Sequence, residues 1–150
     1  MTSADIETYL QRLLVRGAYT RRELERKLER RGCPVEVVCA LLDTYESLGL
    51  VNDDAYAVLF VEGHPEWSRR RLQDDMRARG LSVDVIKRAM DDIVVDDDDR
   101  AMGLAMEWFD RGLSVRQIAG RLERRGFRRS SVLASLDQID RPQEVSRRNE

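Results

Sequence analysis

Cysteine, proline, histidine and aromatic residues are all scarce in this 150-residue chain. Its two cysteines, Cys33 and Cys39, read as small buried residues of a reducing compartment rather than as a disulfide. The single histidine, His64, lies in the loop Gly63-His64-Pro65-Glu66. It cannot form a two-histidine metal site, and no Cys-x-x-Cys accompanies it. No nucleophile elbow or oxyanion turn is recognisable beside it either, so His64 reads as structural. Three prolines and 6% aromatic residues, against 36% charged residues, favour helices over a sandwich or barrel. No apolar run approaches the roughly 20 residues of a membrane span. No basic-then-apolar leader opens the chain, which points to the cytoplasm. The glycines form no phosphate-binding loop. The acidic run 96–99 lacks the alternating ligands and turn glycine of a calcium loop and reads instead as charge at a helix N-terminus. No catalytic residue, metal or cofactor is expected: the chain reads as a binder, not an enzyme.

What is present is a 26-residue pattern written three times, at residues 20–45, 68–93 and 114–139. Each copy opens on a hydroxyl residue (Thr20, Ser68, Ser114), followed at fixed offsets by Leu24, Leu72 or Ile118 and then Leu28, Met76 or Leu122. An Arg-Gly pair comes next (Arg31-Gly32, Arg79-Gly80, Arg125-Gly126), then Val38, Ile86 or Val132, and then Leu42, Met90 or Leu136, each trailed by an aspartate. One structural unit used in tandem accounts for such matching.

The first part of the pattern predicts a helix with both ends marked. Thr20 and Glu23 make a capping box, which only the first copy is expected to complete. Tyr19/Leu24, Trp67/Leu72 and Leu113/Ile118 have the spacing of hydrophobic staples. Gly32, Gly80 and Gly126 suit the left-handed residue that ends a helix. A second helix follows in period 3.6, on Val35, Val38, Leu41, Leu42 and Tyr45, on Val83, Ile86, Ala89, Met90 and Ile93, and on Val132, Leu133, Leu136 and Ile139. The last of these is stopped by Asp140-Arg141-Pro142. A third helix precedes each copy, at 5–16 (Ile6, Tyr9, Leu10, Leu13), 53–63 (Tyr56, Leu59, Phe60) and 97–111 (Ala101, Leu104, Ala105, Trp108), each starting at acidic residues. The expected fold class is all-α: three tandem three-helix repeats forming an elongated, curved array. The expected units are 1–50, 51–95 and 96–141, with a polar, frayed tail at 142–150.

Charge is segregated by element. The windows 20–31, 68–79 and 114–125 each sum to +3, whereas the whole chain is −2, so the remainder holds −11. Cations in a last turn, such as Arg31, Arg79 and Arg125, suit the helix dipole. Cations in a first turn do not, yet Arg21, Arg22, Arg69, Arg70, Arg71 and Arg116 stand there. Arginines beside open backbone N–H groups suit an anion, phosphate or carboxylate. The candidate partner-binding set is Arg21, Arg22, Arg26, Arg30, Arg69, Arg70, Arg71, Arg77, Arg116, Arg121 and Arg124.

The segment running from Tyr19-Thr20-Arg21-Arg22-Glu23-Leu24 to Arg31-Gly32 resembles the first repeat of the RecX regulatory proteins. Leu48-Gly49-Leu50-Val51-Asn52-Asp53-Asp54-Ala55-Tyr56-Ala57 is similar to that family's connector, and Ser68 to Gly80 and Arg124-Arg125-Gly126-Phe127 resemble its later repeats. The resemblance spans about residues 8–140. It implies an all-helical array of three-helix units in a cytoplasmic bacterial protein. The implied partner is the RecA filament, whose ATPase, strand-exchange and co-protease activities would be restrained; single- or double-stranded DNA is the alternative partner. A monomer without a membrane segment is expected. The chain departs from the family pattern at Ala55, where an arginine is usual, and at Glu62-Gly63-His64-Pro65-Glu66, which implies a weaker or shifted contact around the second unit.

Overall fold

The computed structural model describes residues 2–93 and 95–140. Among these the chain is all-α, with helices α1 (Ser3–Arg16), α2 (Arg21–Arg30), α3 (Val35–Ser47), α4 (Asp53–Glu62), α5 (Arg69–Ala78), α6 (Val83–Asp92), α7 (Asp97–Asp110), α8 (Val115–Arg124) and α9 (Arg129–Asp140). The expected stop at Arg141-Pro142 and the polar tail at 142–150 lie outside the described residues.

Helix ends follow the capping chemistry closely. Thr20 and Glu23 form the expected box on α2. The expectation that this box is unique is corrected: Ser114 and Gln117 form a second on α8, because a glutamine amide oxygen reaches back to the cap N–H as a glutamate does. Thr2 and Asp5 form a third, which moves the start of α1 two residues before Asp5. At α7 the acidic run behaves as helix-terminal charge: the Asp96 carboxylate accepts from the N–H groups of Asp98 and Asp99. The Asp98 carboxylate accepts from the Ser131 hydroxyl at 2.6 Å.

The chain divides into two compact units, Met1–Glu62 with Asp75–Ile93 and Gly63–Asp74 with Val94–Glu150, so α5 contributes residues to both. In the first unit, Ile6, Leu10 and Leu13 of α1, Leu24 and Leu28 of α2 and Val38, Leu42 and Tyr45 of α3 form one buried core. Tyr19 packs on its edge, and Cys33 is inside it. In the second, Ala101, Ala105 and Trp108 of α7, Ile118 and Leu122 of α8 and Val132 and Ile139 of α9 form the core. The small Ala101 and Ala105, both fully buried, let α9 lie close against α7. Each such fully buried Leu or Ile contributes about 2 kcal/mol through lost water contact.

Four expected apolar positions lie outside the cores: Val35, Val83, Leu59 and Leu133 are exposed. Val35 and Val83 are the first residues of α3 and α6, where the turn has no preceding helix surface to cover it. On α4 the buried face is carried by Ala57, Phe60 and Val61, which turns Leu59 outward.

Candidate partner-binding surface

The N-terminus of α2 is tied to the segment that ends α5. The Thr20 hydroxyl accepts from the Glu23 N–H and donates to the Arg79 carbonyl at 2.6 Å. The Arg21 N–H donates to Asp53 Oδ1 at 2.9 Å. Gly80 has φ +88°, and a Cβ there would collide with the Cβ and Cγ of Arg22. The N-terminus of α5 repeats this arrangement against the end of α8. The Ser68 hydroxyl accepts from the Arg71 N–H and donates to the Arg125 carbonyl at 3.1 Å. The Arg69 N–H donates to Asp97 Oδ1 at 2.8 Å, and a Cβ on Gly126 would press on Ser68 Oγ. Thr20 and Ser68 are fully buried. The hydroxyl and glycine columns of the repeat, with the aspartates that open α4 and α7, are therefore the parts of a joint.

These joints correct one expectation. The first and third N–H groups of α2 and α5 do not stand open beside the arginines: side-chain oxygens of Asp53, Thr20, Asp97 and Ser68 occupy them. At those two positions of each helix the backbone is not open to an anion.

The candidate arginines sort into three environments. Arg21 is held within the first unit: its guanidinium meets Glu25 at 3.1 Å, Asp43 at 2.7 Å and Glu46 at 3.0 Å, with the Cys39 carbonyl behind. Burial works against its charge, but the bonds to Asp43, Glu25 and Glu46 outweigh that and hold its pKa above the ordinary arginine value. Arg22 reaches Glu25 at 3.0 Å while its stem covers Gly80.

A second group rests on aromatic rings. Arg71 lies 3.9 Å from the centre of the Trp67 ring, and Arg121 lies 5.5 Å from that of Trp108. The repeat-ending arginines do the same: Arg31 over Tyr9, Arg79 over Phe60 and Arg125 over Trp108, with Arg79 also donating to the Tyr56 hydroxyl at 2.6 Å. Stacking of this kind stabilises by about 0.5–1 kcal/mol at exposed sites and fixes the direction of the fork.

The third group is exposed, apart from the half-buried Arg69. Arg26, Arg30, Arg77, Arg116 and Arg124 make no ion pair among the described residues. Arg70 reaches only Asp74, at 3.9 Å. Arg69 and Arg70 line an open recess of about 500 Å³ in the second unit, together with Gln73, Asp97, Glu123 and Arg128. Arg128 falls outside the candidate set, because it follows the helix-ending Gly126 and stands outside the three basic windows. His64 is accounted for structurally: its ring lies 3.9 Å from that of Trp67, and Arg100 binds the His64 and Trp67 carbonyls. Burial lowers the Arg100 pKa, against the opposing pull of Asp97 and Glu66. Among the described residues no group of three His, Cys, Asp or Glu side chains could hold a metal ion, and no helix is long and apolar enough to cross a membrane.

No family model matches the chain. It is 33% identical over 141 residues to the regulatory protein RecX of Halorhodospira halophila, covering 89% of this chain and 87% of that protein. It is 34% identical over 139 residues to that of Mycobacterium sp. strain KMS, covering 83% and 76%. To that of Streptomyces coelicolor it is 30% identical over 137 residues, covering 85% and 73%. Two crystal structures share the fold. RecX from Lactobacillus salivarius matches with a TM-score of 0.78 at 18% identity, over 92% of this chain and 96% of that one. A second regulatory protein RecX matches with a TM-score of 0.74 at 20% identity, over 90% and 73%. With identity at this level across most of both partners' lengths, the chain belongs to the RecX family of regulatory proteins.

Proposed function

We propose that this chain is a non-enzymatic cytoplasmic regulator that binds the RecA–DNA filament and restrains its ATPase, strand-exchange and co-protease activities, and through them recombination and the SOS response. The observation that carries the reading is the identity of 30–34% with proteins named regulatory protein RecX over most of the chain. The surface chemistry supports it. Arg26, Arg30, Arg70, Arg77, Arg116, Arg121 and Arg124 project from equivalent helices of three tandem units, taken as 1–50, 51–95 and 96–141. A series of guanidinium groups repeated in this way suits a partner that is itself a repeating polymer with carboxylates and phosphates on its surface.

The test is a titration of the purified protein into RecA on single-stranded DNA. ATP hydrolysis is expected to fall at substoichiometric ratios, and unchanged turnover at excess protein would reject the reading. The same arginines also suit DNA alone. In that case log K would fall by about 0.9 per neutralised duplex phosphate for each decade of salt, and binding would need no RecA.

A further inference from the structure

The first joint shows what the arginine at the head of these helices binds when its charge is satisfied. Arg21 meets carboxylate oxygens of Glu25, Asp43 and Glu46 at 2.7–3.1 Å. At the second joint the arginine in the same column is Arg69, and the column that holds Glu25 holds the neutral Gln73. The backbone bond to the aspartate is kept, Arg69 N–H to Asp97 at 2.8 Å. The Arg69 guanidinium, in contrast, makes no ion pair among the described residues. It faces the open recess of about 500 Å³ that Arg70 and Arg128 also line.

We propose that this recess docks carboxylate side chains from an acidic segment of a protein partner. Three guanidinium groups face two carboxylates there, Asp97 and Glu123, and one oxygen of Asp97 is already engaged by the Arg69 N–H. Arg70 also reaches Asp74 at 3.9 Å, whereas neither Arg69 nor Arg128 makes an ion pair among the described residues. Carboxylates are the ligand that the same position takes within this chain, at Arg21, and guanidinium groups bind them through charge-assisted hydrogen bonds. Asp97 and Glu123 oppose a nucleic-acid strand, which brings a series of phosphates rather than one or two separated charges. The inference deepens the filament reading, since it rests on a protein surface being the partner and names the chemistry of one contact on it.

The test is fluorescence anisotropy on the full chain at low salt, with a labelled hexaglutamate peptide and a labelled thymidine oligonucleotide of matched charge as probes. The wild type is expected to prefer the peptide. Arg69→Ala with Arg128→Ala is expected to weaken peptide binding about tenfold or more, the scale of losing hydrogen bonds to charged groups. Gln73→Glu is expected to weaken it comparably without a change in helicity, because it restores the internal carboxylate of the first joint. Arg12→Ala with Arg16→Ala removes two exposed charges from α1 and is expected to leave binding in place. Preference for the oligonucleotide, unchanged binding in Gln73→Glu, or an equal loss in the α1 variant would each overturn the inference. A wild-type protein without effect on RecA would remove the filament reading, while the anisotropy would still decide the recess.

Discussion

At the first joint Arg21 is ringed by Glu25, Asp43 and Glu46; at the second, Arg69 faces Gln73 and an open recess. The backbone bonds of the two joints are nevertheless the same: cap hydroxyl to helix-ending carbonyl, first N–H to aspartate, glycine beneath the capped helix. Holding helices together and presenting charge are therefore carried by different columns of the repeat. The joining columns have little freedom, because a buried hydroxyl or carbonyl left without a partner costs about 1–3 kcal/mol. The charged columns are free to vary, since an exposed ion pair contributes between nothing and about 1 kcal/mol.

The comparison breaks most readily at the glycines. Gly80 and Gly32 share a positive φ, +88° and +82°, but only Gly80 has a side chain pressed over it. Gly80→Ala is expected to cost about 3 kcal/mol, combining left-handed strain with displacement of the Arg22 stem, and Gly32→Ala about 1 kcal/mol. Equal losses in thermal denaturation would show that the joint at Gly80 is not packed. Next come the caps. Ser68→Ala removes a cap and leaves the Arg125 carbonyl unpaired, about 2 kcal/mol in all, whereas Ser114→Ala removes only a cap, about 1 kcal/mol. Urea titration of the two variants separates the contributions.

The two head arginines should differ less. Arg21→Met leaves three carboxylates facing one another and is expected to cost about 1–2 kcal/mol. Arg69→Met is expected to stay within about 0.5 kcal/mol, because the half-buried Arg69 guanidinium makes no ion pair among the described residues. A similar loss at both positions in the same denaturation experiment would erase the contrast between the joints.

The smallest expected effect is at Asp53. Burial raises its pKa, against the pull of the Arg21 N–H, with Glu46 and Asp54 adding to the rise. The folded chain therefore takes up this proton at higher pH than the unfolded chain does. The ionised group costs stability that grows as pH rises through the window between the two values, and the cost is absent below it. Asp53→Asn keeps an oxygen for the Arg21 N–H and is expected to melt at or slightly above the wild type at neutral pH. That margin should vanish in acid, and melting curves at the two pH values check it.

The class of fold and most of the helix ends were legible in the residues themselves. Thr20 with Glu23, Gly32 at its positive φ and the Leu24–Leu28 stripe all report interactions that close within a few positions of the chain. Residues so near in sequence meet in any context that forms the helix. The box at Ser114 and Gln117 is equally local, with a glutamine where the first repeat has a glutamate. The resemblance to the RecX family is carried by the same kind of local signature, while membership rests on identity of 30–34% over most of the chain.

Which arginines are spent inside the molecule is a different kind of fact. The Arg21 N–H finds its aspartate 32 residues away, and its guanidinium finds Asp43 across 22. Arg31, Arg79 and Arg125 find their aromatic platforms on the helix before their own. Arg128 joins Arg69 and Arg70 from beyond the basic windows altogether. The local pattern determined that guanidinium groups would cluster on α2, α5 and α8. Whether each is neutralised, stacked or left to meet a partner was decided only by tertiary packing, because a charge is satisfied by whatever lies within a few ångströms of it in space, and periodicity along one helix carries no record of that neighbour.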